Sequence, residues 1–298
     1  MMNQRAITLR RIGKLRIVLI LTSSYFVVQI IGGLLSGSLA LIADAGHMLT
    51  DIAGLMLSLL AVSFTRKPAT PQKTYGFYRM EILATLANSV VLISISVYIV
   101  YEAYQRIIHP SQIHVLPMIL IASIGLVINL LSMKLLSHSH DSLEIKDENL
   151  NMKSAKLEVM SDAMGSIGVI VAGVVIISTG LYLADAIASI AIAIFILPRT
   201  WSLMKKSVHI LMEGVPPNVS HDEIKKAIMA VKGVTGIFEL HIWSITSGLD
   251  ALSAHVVIID PSRSIAILKE INSIIENKFG IHHITIQIET YHPDSNTV

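Results

Sequence analysis

The chain has 298 residues, 53% of them hydrophobic and only 15% charged, with a mean hydropathy of +0.65. That charged fraction lies well below the roughly 25% of soluble domains and marks an integral membrane protein with a polar portion. A formal net charge of +2 excludes nucleic-acid binding through bulk charge, and the absence of cysteine excludes disulfides and leaves His, Asp and Glu to bind any transition metal.

The opening MMNQRAITLRRIGKLR is basic, and no small-residue cleavage pattern follows its apolar run, so a retained first span is expected. Hydropathy predicts six membrane-crossing helices, over about 15–36, 39–64, 81–101, 115–136, 157–183 and 185–203. Gly37-Ser38 makes a tight turn between the first two, and the fifth and sixth are joined almost as closely. Arg5, Arg10, Arg11, Lys14 and Arg16 precede the first span; Arg66, Lys67, Lys73 and Arg79 lie between the second and third. Lys134, Lys146, Lys153 and Lys156 lie between the fourth and fifth, and Lys205 and Lys206 follow the sixth. All of these fall on one side, Arg106 being the exception, so that side is the cytoplasm and both termini are cytoplasmic in the inner (plasma) membrane. The predicted architecture is an all-α six-helix transmembrane domain over 1–208 followed by a cytoplasmic domain over 209–298.

The second span, LALIADAGHMLTDIAGLMLSLLAVSF, carries Asp44, His47 and Asp51. Ionisable groups at membrane depth are costly and signal function. His47 and Asp51 are four residues apart and stack on one helix face. Alone, that pair fits a helix–helix hydrogen bond as well as a metal site. The fifth span repeats the spacing with Glu158 and Asp162. Two helices, each offering two ligands one turn apart, can enclose one divalent ion in a tetrahedral cage. Such a set of hard ligands suits Zn²⁺, Cd²⁺ or Co²⁺ and disfavours Cu(I). Three carboxylates cannot all stay ionised together at low dielectric, so the metal-free cage holds protons that metal must displace. Proton–metal exchange follows, coupling export to the proton gradient through alternating access.

Asp44 reads either as part of the exit route or as a local pair. Gln29, Asn88 and Asn129 read as hydrogen-bonding partners between helices, and Gly32, Gly33, Gly165, Gly168 and Gly173 as close packing points. Asp185 reads as a solvated helix start. His138 and His140 fit a solvated loop or a weak metal-collecting one. The basic link Arg66–Arg79 holds no His, Asp or Glu and is expected to bind no metal.

Beyond Lys206 the composition becomes that of a small soluble domain. Ser220 and Glu223 form a capping box opening a helix to about 231, and Gly233 and Gly236 break the pattern. Strands follow at about 238–245 and 251–259, then a helix from Pro261 stopped by Gly280, and a strand over 281–290. The order α-β-β-α-β predicts a ferredoxin-like α+β sandwich. Strict alternation puts Phe238, Leu240 and Ile242 on the apolar face, and Glu239, His241 and Trp243 on the other, together with His255 and Glu289. His241, His255 and Glu289 are solvated polar residues or a cytoplasmic metal site, with His282 a further ligand. His221 sits at a helix start and reads as a cap or a solvated residue.

The segments SLALIADAGHMLTDIAGL, TYGFYRMEILATLAN, SDAMGSIGVIVAG, MEGVP, LHIWSI, SAHVVI and HITIQIE resemble, in order and over nearly the whole chain, the cation diffusion facilitators, in particular the bacterial zinc/cadmium/cobalt exporters. The resemblance implies a homodimer joined through the cytoplasmic domains, with a transport site of His47, Asp51, Glu158 and Asp162 in each protomer. It implies cytoplasmic metal-binding roles for His241, His255, Glu289 and His282, where Zn²⁺ would tighten the dimer and bias transport. Glu158 stands where many zinc-type members have His, which makes the cage more anionic. An ionic pair between Arg79 and Glu213 is also expected.

The expected function is a proton-coupled exporter of divalent metal ions. Two alternatives are a membrane-anchored metal sensor and an intramembrane metalloenzyme. Against an enzyme, the chain has no His-Glu-x-x-His, and a closed four-ligand cage leaves no open position for water.

Overall fold

The computed structural model describes residues 20–64, 70–137 and 148–290, with the side chains of 47, 50, 51, 54, 55, 57–64, 133–137 and 148–162 left aside. The described residues divide into two compact units, 20–60 with 87–204, and 61–86 with 205–290.

The first unit is a helical bundle. It contains α1 (Ile20–Ser36), α2 (Leu39–Phe64), α3 (Arg79–Ile108), α4 (Val115–Ser137), α5 (Glu148–Thr179) and α6 (Leu183–Leu211), of which α2, α3 and α6 run on into the second unit. Among the described residues, Arg79–Ile108, Val115–Ser132 and Leu183–Leu211 are long and apolar enough to cross a membrane; Ile20–Ser36 and Ala163–Thr179 are shorter apolar helices. Polarity is arranged as a bilayer requires. Val27, Leu34, Tyr98, Leu120, Val171 and Ile194 face outward, while Gln29, Asp44, Asn129, Ser166 and Asp185 are buried.

α2 is central to this bundle. Ala40 and Leu41 pack with Met118 and Ala122 of α4 and Val169 and Ala172 of α5. Leu39 and Ala43 pack with Ile99 and Ala103 of α3 and Ala186 and Ala193 of α6. Small residues on both faces let the helix backbones approach closely, which drives association where lipid competes equally for apolar surface.

The connecting turns gather at one end. The backbone N–H of His114 donates to the Ser36 carbonyl at 2.8 Å. Asp185, at the start of α6, is fully buried there rather than solvated. Its carboxylate accepts from the Ser38 hydroxyl at 2.6 Å and from the backbone N–H groups of Leu39 and Ala40 at 2.8 and 3.2 Å. It therefore caps the N-terminus of α2 from another helix, taking up orphan donors and meeting the positive end of the helix dipole. Arg106 of α3 stands 3.6 Å away and donates to the Gly37 carbonyl as well. Arg106 also pairs with Glu102 at 3.2 Å, so it stands between two carboxylates.

The second unit contains α7 (His221–Met229), β1 (Val234–Thr246), β2 (Leu249–Ile258), α8 (Ser264–Phe279) and β3 (His283–Glu289), the expected α-β-β-α-β order. The sheet runs β1-β2-β3, with β1 and β2 antiparallel and β2 and β3 parallel across α8. Ser220 caps α7 by accepting from Glu223 N–H, and Gly280 ends α8 at φ 70°, where a Cβ would be strained. Ile224 and Ile228 of α7 and Ile267, Ile271 and Ile275 of α8 recur every four residues or nearly so and are buried on Ile242, Leu252, Ala254, Val256 and Ile258 of the sheet. Each buried isoleucine contributes about 1.5–3 kcal/mol relative to exposure.

β1 departs from the expectation. It begins at Val234 rather than at about 238, and Gly236 lies inside it at a register shift. A second shift lies between Phe238, which faces His255, and His241, which faces Ser253. Two residues of β1, Glu239 and Leu240, therefore oppose Ala254 alone, and Glu239 takes the bulged conformation at φ 49°. The bulge reverses the alternation. Phe238 leaves the apolar face and packs on the His255 ring at 5.2 Å between centroids.

Candidate metal centre

His47 and Asp51 lie on α2, and Glu158 and Asp162 on α5; their side chains fall outside the described ones. Their level is set by a described contact between the same helices. The Asp44 carboxylate accepts from Ser166 Oγ of α5 at 3.4 Å and from Gln29 Nε2 of α1 at 2.6 Å. Gly165 lies so close that a Cβ there would overlap the Asp44 carboxylate. α2 leaves the end of the bundle where the turns gather and α5 approaches it, so the two helices run in opposite directions. At about 1.5 Å rise per residue, His47 is about 4.5 Å and Asp51 about 10.5 Å from the Asp44 level. Along α5, Asp162 is about 6 Å and Glu158 about 12 Å from the Ser166 level. The backbone register thus offers two layers, His47 with Asp162 and Asp51 with Glu158.

The expected role of Gln29 as an interhelical hydrogen-bonder is met through Asp44. Gly165, Gly32 and Gly173 are close packing points, the last two against Ile121 and Ile119 of α4, whereas Gly168 has open space around it. His138 and His140 lie outside the described residues.

On the open face of the C-terminal sheet, His255 Nδ1 meets Glu289 Oε1 at 2.7 Å, across β2 and β3. Gln287 Nε2 donates to the same oxygen at 2.8 Å. The other ring nitrogen, Nε2, stands 3.3 Å from Glu239 Oε2. One imidazole is therefore flanked by two carboxylates from different strands. Glu239, which alternation also puts on the open face, was not among the expected ligands; it reaches His255 from within the bulge. The signal was present in the odd spacing of Ile237 and Ile242, which both serve the apolar core and cannot do so on a regular strand. The same bulge moves His241 opposite Ser253, two positions or about 7 Å along β2 from His255. His282 precedes β3 at the end paired with Ala251, about 23 Å along the strand from Glu289 at about 3.3 Å per residue. Among the described residues no group of three or more His, Asp and Glu side chains closes on one metal position. Glu239 and Glu289 each face a different ring nitrogen of His255 and so lie on opposite edges of the imidazole.

His241 instead lines a cavity of about 680 Å³ with Tyr75, Tyr78, Arg79, Glu213 and Trp243. The expected ion pair forms at its rim, with Arg79 Nη2 2.8 Å from Glu213 Oε1. Beside it, Thr246 Oγ1 donates to Glu81 Oε2 at 3.2 Å, so the β1–β2 end also grips the first turn of α3. His221, at the start of α7, faces Asp222 at 3.6 Å, and Ser220 supplies the cap instead.

The described geometry agrees with comparisons to known proteins. Residues 15–212 match the family model of the cation efflux transmembrane domain, and residues 216–291 that of the cation efflux protein cytoplasmic domain. The chain is 42% identical over 278 residues to the metal cation efflux system protein CzcD of Cupriavidus metallidurans, covering 92% of this chain and 85% of that protein. It is 44% identical over 274 residues to the cadmium, cobalt and zinc/H(+)-K(+) antiporter of Bacillus subtilis, covering 91% and 86%. With the zinc transporter ZitB of Escherichia coli the identity is 39% over 273 residues, covering 91% and 85%. A solved metal-bound C-terminal domain of the Cupriavidus CzcD transporter is 40% identical, spanning 24% of this chain and 99% of that one, with a TM-score of 0.23. These relatives are metal transporters, not enzymes. The chain has the family's helical transmembrane domain and α+β cytoplasmic domain, and it belongs to the cation diffusion facilitator family of cation efflux transporters.

Proposed function

We propose that the protein is a proton-coupled antiporter that exports Zn²⁺, and also Cd²⁺ and Co²⁺, from the cytoplasm through one intramembrane site per protomer made by His47, Asp51, Glu158 and Asp162. The observation that carries this reading is the contact of Asp44 with Gly165 and Ser166, from which both ligand pairs follow one and two turns away at matching levels. Relatives named as zinc, cadmium and cobalt transporters support the cargo, and one named as an antiporter with H(+) supports the coupling. Metal loading releases protons from the carboxylates on the cytoplasmic side, and protons from outside return to them as metal leaves.

All six bundle helices cross the inner membrane, with 1–208 as transmembrane domain, 209–298 as cytoplasmic domain and both termini cytoplasmic. The cytoplasmic domains join two copies. Regulatory Zn²⁺ is held at His255 and Glu289, whereas His241, about 7 Å from His255 along the strands, and His282, about 23 Å from Glu289, would serve other ions. A bound ion would supply the cross-link between strands that the His255–Glu289 hydrogen bond supplies without it.

The test is transport by the full chain in proteoliposomes under an imposed pH gradient, with Zn²⁺, Cd²⁺, Co²⁺ and Mn²⁺ in parallel. An acidic lumen should drive Zn²⁺ uptake, Asp51→Ala should abolish it, and Glu158→His should change the order of preference among the ions. Uptake indifferent to the gradient removes proton coupling; uptake by Asp51→Ala at the native rate removes the site.

A further inference from the structure

We propose that Asp44 is a positioning residue for ion transport: by binding Gln29 and Ser166 together it holds α1, α2 and α5 at one level and sets the separation of the two ligand-bearing helices. The inference rests on the four-ligand site proposed above and concerns what keeps that site in shape.

Asp44 is 4% exposed and lies one turn before His47 on the same helix stripe. Its Oδ2 takes a hydrogen bond from an amide on α1 and one from a hydroxyl on α5. Gln29 and Ser166 are themselves fully buried, so neither donor can turn to water instead. The other oxygen, Oδ1, presses on the space a Cβ would occupy at Gly165, so the carboxylate is also a spacer between α2 and α5. α1 is in turn fixed to α4 by Tyr25, whose hydroxyl donates to the Ile121 carbonyl at 3.0 Å and crowds Gly125. The ligand pairs follow from this level by helical rise alone, so a shift of α5 past α2 at Asp44 moves Asp162 past His47 by the same amount. Ligand distances in a metal site tolerate only about 0.2 Å, so such a shift alters which ion fits before it prevents any ion from binding. Asp44 therefore governs ion preference as well as rate, although it need not touch the ion.

The experiment is Zn²⁺ and Cd²⁺ transport by the full chain in proteoliposomes for Asp44→Ala, Asp44→Asn, Gln29→Ala, Gly165→Ala and the double variant Gln29→Ala/Asp44→Ala, with Asp51→Ala as control. Asp44→Ala and Gly165→Ala should each lower Zn²⁺ transport about tenfold or more, as expected for misplacement of reacting groups by an ångström, and both should change the Zn²⁺/Cd²⁺ ratio. Asp44→Asn, which keeps an oxygen acceptor of the same size, should restore most of the rate and the native ratio. The double variant should be no worse than Asp44→Ala. Equal losses for both ions, tracking a loss of folded protein on size exclusion, would mean a purely structural role and overturn the proposal. Native rates in Asp44→Ala and Gly165→Ala overturn it too. So does an Asp44→Asn as inactive as Asp44→Ala, since charge rather than position would then matter. If Asp51→Ala also transports, the site itself has failed; if only the Asp44 set behaves as native, the site stands and the positioning role falls.

Discussion

The buried carboxylates of the helical unit and the carboxylates on the open sheet face solve opposite problems. Asp185 accepts from three donors and has an arginine beside it. Asp44 accepts from two buried donors on different helices. Away from water a polar group must find its partners inside the protein, so each one joins helices. Glu239 and Glu289, by contrast, are 46% and 16% exposed and both address the single imidazole of His255. Water competes for these groups, and their arrangement can change at little cost. Polar residues in the bundle therefore set architecture, while those on the sheet are free to rearrange.

The sharpest way to break this contrast is at Asp185. Asp185→Ala should destabilise the bundle by about 2–5 kcal/mol, because the buried Ser38 hydroxyl and the first two N–H groups of α2 lose their acceptor at about 1–3 kcal/mol apiece. Asp185→Asn, which still offers an acceptor, should cost visibly less. Thermal unfolding of the purified protein in detergent measures both, and a native midpoint for Asp185→Ala would refute the capping role.

On the sheet the expected effect moves from stability to ion binding. In an Asp51→Ala background, which silences the membrane site, Glu239→Gln and Glu289→Gln should each weaken Zn²⁺ binding by about 10–100-fold with little change in unfolding. Glu239→Gly separates the two properties further. Glycine relieves the φ of 49°, worth about 1 kcal/mol of stability, yet removes the carboxylate and should lower affinity. Titration calorimetry and melting on the same sample decide this, and affinity unchanged in Glu239→Gly would exclude Glu239 from the site.

Smaller still is the Arg79–Glu213 pair, whose side chains are 39% and 60% exposed. Arg79→Glu should change stability by no more than about 1 kcal/mol. If the pair couples the cytoplasmic unit to transport, the reversal lowers the transport rate, and Arg79→Glu/Glu213→Arg recovers it. An unchanged rate in Arg79→Glu leaves the pair without a transport role.

The smallest effect belongs to Asp260, whose carboxyl is held below the usual carboxylate range by the Ser262 hydroxyl and then by its backbone N–H. A lowered folded value means that the contribution is complete above the usual range and lost as pH falls through the lowered one. Ser262→Ala should therefore narrow the difference in melting midpoint between neutral and acid solution, and an unchanged acid dependence would argue against the hydroxyl's part.

Much of this was readable before any coordinates. The α-β-β-α-β order, the Ser220 cap, the Gly280 stop and the Arg79–Glu213 pair follow from local chemistry or charge. Asp185 was misjudged, because a carboxylate at a helix start looks the same in sequence whether it faces water or another helix's N-terminus. Phe238 was put on the wrong face because two-residue alternation cannot express a bulge; Glu239 was put on the open face but not joined to His255, because alternation gives a face and not a contact.

Composition and spacing alone determined that this is a membrane protein with pairs of His, Asp and Glu residues one turn apart on two helices, since hydropathy and helical period are local properties of a chain. Which groups meet was decided only by tertiary structure. The Asp44–Ser166 contact, the capping of α2 from α6 and the approach of Glu239 to His255 all join residues distant in sequence or turned by an irregular strand. Such contacts depend on helix register and strand bulges, and these are fixed by packing across the whole unit rather than by neighbouring residues.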